Sequence, residues 1–119
     1  MAAREVAILG VGMHPWGKWG RNFVEYGVAA AQAALADAGV PWTVVQFVAG
    51  GETIRNGYPG YVAGASIAQA LGWNGAQVTS SYGACASGSQ AIASTIFGHA
   101  AERRKPPRPK QIAAISDDT

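Results

Sequence analysis

Apolar residues along this chain form short continuous runs that alternate with stripes at helical spacing. The runs Val6–Val11 and Val44–Ala49 predict strands buried on both faces. Gln77–Tyr82 has the composition of a third strand, and Ile112–Ile115 is suited to a short fourth one. Because helical segments separate these runs, the pattern predicts an α/β fold with a largely parallel sheet, right-handed crossovers and covering helices.

The first predicted helix, Phe23–Ala38, has clear signals at both ends. Asn22 is a good N-cap, and Glu25 three residues later completes the sequence of a capping box. Gly39 and Pro41 follow the last turn and stop the helix.

Two further helices are predicted after the second and third strands. One spans Tyr61–Leu71, and the other begins at Cys85 or the next residue and runs to about Arg104. Gly12–Gly20 and Gly50–Gly60 are glycine-containing loops. Ligands of parallel sheets bind at the carboxyl ends of the strands, and Cys85 lies at one such end.

The composition fits one domain or part of one, because the chain has 119 residues, of which 49% are hydrophobic and 13% charged. So little charge predicts that a partner subunit or further chain covers part of the surface; a small neutral domain is the plainer alternative. The net charge is +2, but five of the nine basic residues lie between Arg103 and Lys110, so no nucleic-acid-binding stripe is expected. We expect no membrane span and no signal peptide, and therefore a cytoplasmic location.

The single cysteine, Cys85, is the strongest candidate functional residue. It lies in a run of very small residues, 83–88, between a predicted strand and a predicted helix, and it has no disulfide partner in the chain. The N–H groups of a helix N-terminus favour a thiolate and can hold a developing oxyanion. The placement suits a nucleophile that accepts an acyl group, although many lone cysteines are only small buried residues.

Two competing motifs are incomplete. The Gly-Val-Gly sequence at 10–12 resembles the start of a dinucleotide-binding turn, but Pro15 stands where the third glycine belongs and has no N–H to donate. A dinucleotide-binding site would also need an acidic residue at the end of the second strand to bind the ribose of the cofactor. No acidic residue is expected at that position. Residues 83–87 half-match the nucleophile elbow of hydrolases, but Ser87 replaces the final glycine.

The two histidines are not expected to complete a catalytic triad with Cys85. His99 lies fourteen residues further along the same predicted helix, about 20 Å away at the rise of an α-helix. A structural position near the helix C-terminus is therefore expected for it. His14 precedes Pro15 in the first loop, where a structural role is also expected, and the sequence shows no cluster of metal ligands.

Aromatic residues supply weaker candidates. Tyr58, Tyr61 and Tyr82 have the chemistry of acid–base groups, although packing around a loop is the more ordinary role of the first two. Trp16 and Trp19 lie in a loop with few hydrophobic neighbours, which predicts that they dock onto further chain or a partner.

The segment Tyr82–Gly88, with the sequence Tyr-Gly-Ala-Cys-Ala-Ser-Gly, resembles the Cys-Ala-Ser-Gly element of the thiolase superfamily. Val6–Gly12 is similar to the first strand and loop of that family, and Ala33–Val40 is similar to its first helix. Asn56–Ala65 is more discriminating, because it resembles the lipid-transfer-protein branch, which contains sterol-carrier-type thiolases and thiolase-like aldolases of bacterial steroid side-chain breakdown. The resemblance spans roughly residues 4 to 100, in order.

The resemblance implies part of a duplicated, five-layered fold: a partial N-terminal half-domain at 1–104, then a basic proline-rich linker and a possible short strand at 105–119. It implies an acyl-CoA enzyme of lipid or steroid metabolism, with Cys85 as the acylated residue, a coenzyme A thioester as substrate and no tightly bound cofactor or metal. Acid–base groups and part of the oxyanion holes come from the C-terminal half in that family. In the aldolase branch, tyrosines of that half are thought to do the chemistry. The implied partners are a second copy or a thiolase-like chain, and an OB-fold protein for the aldolases.

The chain departs from the family's pattern after His99. The His-containing motifs and the later Cys-containing motif are absent, and Pro106 stops a helix in the basic segment 102–110. We therefore expect an N-terminal fragment, truncated or frame-shifted in its tail, that is inactive alone because the catalytic base is missing. The alternative is a non-catalytic half-domain that acts as an interaction or dimerisation module.

Overall fold

The described part of the chain folds around a three-stranded parallel sheet that has helices on both faces. A computed structural model describes residues 5–52, 63–102 and 111–116. The strand order is β2-β1-β3, and both neighbouring pairs are parallel, which confirms the predicted α/β class. The helices are α1 (Phe23–Ala38), α2 (Ala63–Leu71) and α3 (Ser87–Glu102), and the strands are β1 (Val45–Gly51), β2 (Gln77–Ser81) and β3 (Gln111–Ser116).

Helix α1 begins and ends where the sequence predicts. The Asn22 side chain accepts a hydrogen bond from the Glu25 N–H at 3.0 Å, and the Glu25 carboxylate accepts one from the Asn22 N–H at 3.0 Å. Gly39 adopts the left-handed conformation, with φ of 68°, and its N–H donates to the Ala36 carbonyl. The capping box and the C-cap therefore satisfy backbone groups that the helix ends leave without partners.

Helices α1 and α2 cover one face of the sheet. Val45 and Val48 of β1 pack with Ala31 of α1 and with Ile67 and Ala68 of α2, and all five are buried. Removal of these apolar side chains from water is the main stabilising contribution on this face.

Helix α3 covers the opposite face of the sheet. Phe47 and Ala49 of β1 pack against Ala91 of α3, and the Phe47 ring lies against the backbone of Gly98. Because successive side chains of a strand point to opposite faces, β1 contributes to both helix layers. The strand is therefore buried on both faces, as its continuous apolar run predicts.

The prediction that Val6–Val11 forms a strand is wrong for the described structure. The segment pairs with no strand among the described residues, and Ile8 is 85% exposed. It lies along α1, where Gly12 packs against the helix backbone and the Val11 N–H donates to the Asp37 carboxylate at 2.9 Å. Contacts with α1 thus take the place of pairing with the sheet.

The other elements follow the predictions with small shifts at their ends. β1 extends to Gly51, so Glu52 follows it directly and is buried; the expectation that no acidic residue ends this strand is wrong. The start predicted for α2, Tyr61, lies outside the described residues, as does the basic linker at 105–110. β3 confirms the short terminal strand. Within the described ranges, none of the helices has the length and apolar character needed to cross a membrane.

Candidate functional site

Cys85 lies on the turn between β2 and α3, at the carboxyl edge of the sheet. Ala84–Ala86 form a single 3-10 turn, and α3 begins immediately after it at Ser87. The thiol is free and exposed. The predicted position at a strand-to-helix turn is confirmed, although the α-helix begins slightly later than predicted.

The turn has an uncommon backbone conformation. Ala84 has a φ of 48°, in the left-handed region that residues other than glycine rarely adopt. The buried Ser87 hydroxyl accepts a hydrogen bond from the Gly83 N–H at 3.0 Å and donates one to the Ala84 carbonyl at 2.8 Å. The Ala86 N–H donates to the Gly83 carbonyl at 2.9 Å. These bonds close the turn and fix the backbone of Cys85.

The backbone N–H of Cys85 takes no part in closing this turn. The N–H groups of Gly83, Ala86 and Ser87 all donate within it. Among the described residues, no hydrogen bond uses the N–H or the thiol of Cys85. The turn therefore presents an exposed sulfur and an available N–H on the same residue, the two groups that an acyl-accepting nucleophile uses.

Glu52 is a functional candidate that the sequence analysis missed. It follows β1 at the carboxyl edge of the sheet, one residue beyond Gly51, which is paired with Ser81 of β2. Its residue exposure is only 2%, unusual for a carboxylic acid. An acidic residue that directly follows a buried apolar strand, as in Gly-Gly-Glu at 50–52, is the signal that identifies it.

The two histidines lie on separate elements, His14 in the first loop and His99 in α3. The His14 ring lies 4.5 Å from the Tyr26 ring and 5.7 Å from the Trp19 ring, measured between centroids. These contacts hold the first loop against the start of α1. His99 belongs to α3, beyond its middle. Among the described residues, no hydrogen bond or ring contact joins His14 to Cys85.

The aromatic candidates have different outcomes. Tyr58 and Tyr61 lie outside the described residues. Tyr82, three residues before Cys85, is exposed. Trp16 and Trp19 are also exposed, and their docking onto a partner stays a prediction.

The parts of the chain that the structure describes hold no group of three or more His, Cys, Asp or Glu residues that could bind a metal ion.

The outer side of α3 is apolar, and we call its three large exposed side chains, Ile92, Ile96 and Phe97, the outer α3 stripe. They are 57%, 42% and 74% exposed. Ile92 and Ile96 are four residues apart, which places them on the same side of α3. The inner side carries small residues, among them Ala91 and Gly98. The large apolar side chains of this helix thus face outward.

No protein-family model matches the chain, and no curated protein matches it. The fold and the turn together define an α/β protein with an exposed thiol at the carboxyl edge of a parallel sheet. The resemblance to the thiolase superfamily stays a prediction that depends on Tyr82–Gly88 and its flanking segments.

Proposed function

We propose that this chain supplies the nucleophile-bearing part of a thiolase-like acyl-CoA enzyme, which transfers acyl groups or cleaves carbon–carbon bonds in lipid or steroid metabolism. The observation that carries the proposal is the turn at Cys85, with its exposed sulfur and its available N–H. The sulfur can attack a thioester carbonyl while the N–H stabilises the negative charge that develops on the oxygen. The resemblance of Tyr82–Gly88 to the thiolase element supports a coenzyme A thioester as the substrate.

Acylation of Cys85 is a thioester exchange. The thiolate sulfur bonds to the carbonyl carbon, and the carbonyl π electrons move to the oxygen. The carbonyl then re-forms as the bond to the coenzyme A sulfur breaks. Coenzyme A leaves as a thiolate that takes up the proton released by Cys85, so that the step needs no oxidant or metal. In this proposal a second thiolase-like half supplies the acid–base groups, and the chain alone gives no turnover.

Incubation of the full chain with acetyl-CoA, with and without a thiolase-like partner chain, tests the proposal. We expect intact-mass measurement to show one added acetyl group and peptide mapping to place it on Cys85. The matched control is Cys85→Ser, which keeps an exposed side chain of similar size but is expected to gain no acetyl group. Absence of acylation in both mixtures would contradict the proposed enzyme.

A second candidate function, a non-catalytic interaction module, is favoured by the outer α3 stripe. Large apolar side chains are exposed there on a helix whose inner side is packed against the sheet. Contact with another chain would remove them from water, and such patches often mark interfaces. The partner in this candidate is a second copy or a full-length thiolase-like chain.

Sedimentation velocity separates the two candidates when it is combined with the acylation test. An interaction module predicts association that the double variant Ile92→Glu, Phe97→Glu abolishes and that Cys85→Ser leaves unchanged. A chain that associates in this way but never acquires an acyl group would support the module. A chain that stays monomeric with every partner tested would contradict it.

A further inference from the structure

The loop before α1 presents large apolar side chains and cations together on the surface. We call its five exposed members the first-loop patch: Met13, Trp16, Lys18, Trp19 and Arg21. The three apolar side chains are 71%, 76% and 53% exposed, in chain order. We propose that this patch docks on the surface of an anionic lipid bilayer, with the apolar side chains among the headgroups and the two cations against the lipid phosphates and carboxylates. The proposal does not depend on acyl transfer.

The loop that carries the patch is held in place by contacts with α1 and within itself. The His14 ring lies 4.5 Å from the ring of the buried Tyr26, measured between centroids. The Arg21 N–H donates to the Tyr26 hydroxyl at 3.3 Å, and the Trp19 indole N–H donates to the Pro15 carbonyl at 2.9 Å. Because the loop is ordered before it meets a partner, its docking costs little conformational entropy.

The positive charge of the described structure is concentrated in the patch. Lys18 and Arg21 are the only Lys or Arg residues within residues 5–52, 63–102 and 111–116. The first acidic residue that follows them, Glu25, accepts a hydrogen bond from the Asn22 N–H in the cap of α1. The patch itself contains no acidic residue, so its charge is complementary to an anionic surface.

The arrangement of apolar and charged residues fits a bilayer better than a protein partner. Lys18 lies between Trp16 and Trp19 along the chain. A protein partner that covered both rings would have to remove this ammonium group from water, and protein interfaces are depleted of lysine. At a bilayer the indole rings occupy the interface, which tryptophan prefers, while a lysine side chain extends to the headgroups.

The same residues fit a nucleic acid less well. Aromatic rings can stack on bases, but binding also requires a stripe of cations that follows the phosphate backbone. The described residues supply two cations, and Met13 adds an apolar side chain that has no ring to stack. Apolar area together with a small number of cations is the combination that binds anionic membrane surfaces.

Co-sedimentation of the full chain with lipid vesicles tests the proposal. One set of vesicles is pure phosphatidylcholine, and the other contains about 30% phosphatidylserine, which gives it a negative surface potential. We expect the affinity for the anionic vesicles to be at least about tenfold higher. Salt at about 1 M should remove most of this difference, because it shortens the Debye length to about 3 Å.

Two sets of variants test whether the first-loop patch carries the binding. The double variant Lys18→Glu, Arg21→Glu should lower the affinity for anionic vesicles by about 25-fold or more, since each cation near such a surface contributes about fivefold. Trp16→Ala should lower it by about tenfold, because the ring no longer leaves water. The matched control is Trp73→Ala, since Trp73 is 74% exposed and lies outside the patch; the expected change is less than about twofold.

Four results would overturn the proposal. The first is equal affinity for the two kinds of vesicle, and the second is equal loss in Trp16→Ala and Trp73→Ala. The third is undiminished binding by the double variant, which would assign the binding to the basic segment 103–110. The fourth is tighter binding to a single-stranded oligothymidylate than to anionic vesicles, if the double variant abolishes it, because the patch would then recognise a nucleic acid.

Discussion

Gly51 at the end of β1 lies directly against Ser87 at the start of α3. A β-carbon on Gly51 would overlap the carbonyl group of Ser87 and would also crowd the Gly88 nitrogen. Ser87 in turn closes the turn that carries Cys85. The contact between Gly51 and Ser87 therefore ties the position of the thiol to the central strand of the sheet.

Replacement of Gly51 by alanine is expected to destabilise the fold strongly. The added methyl group meets backbone atoms of α3, which cannot move aside like a flexible side chain, so that the helix must shift away from the sheet. We expect a loss of about 3 kcal/mol in the free energy of unfolding, at the upper end of typical overpacking costs. Urea unfolding followed by circular dichroism measures this loss.

Gly20→Ala is the control that separates overpacking from backbone effects. A β-carbon there meets nothing within 4 Å, but φ is 69°, so the substitution carries only the cost of a left-handed conformation. That cost is about 1 kcal/mol. If Gly51→Ala is no more destabilising than Gly20→Ala, the close contact with Ser87 is not a constraint on the folded protein.

Loss of the Ser87 hydroxyl is expected to loosen the turn at Cys85. In Ser87→Ala the half-buried Gly83 N–H loses its acceptor, whereas the exposed Ala84 carbonyl keeps the Ser87 N–H as a donor. A typical intramolecular hydrogen bond contributes about 1 kcal/mol, so we expect a loss of about 1 kcal/mol in urea unfolding. Ser89→Ala, at an exposed position two residues later, should change stability by no more than about 0.5 kcal/mol. Equal effects of the two substitutions would contradict the role given to Ser87.

The reciprocal cap of α1 gives a prediction for Asn22. Asn22→Ala removes the acceptor of the Glu25 N–H and is expected to cost about 1 kcal/mol in the free energy of unfolding. Asn22→Asp keeps an acceptor at the same position and should restore most of this stability. A chemical-denaturation series of the two variants checks the prediction, and an alanine variant as stable as the unmodified chain would show that the cap contributes nothing.

Helices and turns whose ends are determined by residues a few positions away could be predicted from the sequence. The bounds of α1 agree with Asn22, Glu25 and Gly39, because capping interactions are local and depend on side-chain chemistry at fixed offsets. β2 and the turn before α3 also agree, since the small residues around Cys85 permit a sharp change of direction. The hydrogen bonds of Ser87 were not predicted, because small size alone does not reveal which backbone groups a hydroxyl meets.

Features that depend on distant parts of the chain were less accessible to sequence analysis. An apolar run such as Val6–Val11 predicts burial, but it does not specify whether an edge of the sheet is available to pair with it. The described structure pairs β1 with β2 and β3, which leaves this run exposed. Glu52 was missed for a related reason, because the predicted second strand ended before Gly51 and the acidic residue was therefore placed in a loop.

The exposure of Cys85 predicts the reactivity of the folded protein toward thiol reagents. In the folded chain the sulfur is accessible and has no hydrogen-bond partner among the described residues, so a reagent such as 5,5′-dithiobis(2-nitrobenzoate) should reach it without unfolding. We expect one thiol per chain to react in native buffer, at a rate within about tenfold of that in denaturant, because access and thiolate fraction set the rate. Cys85→Ser should release no chromophore. A thiol that reacts only after denaturation would contradict the exposed turn and would also remove the main support for an acyl-accepting role.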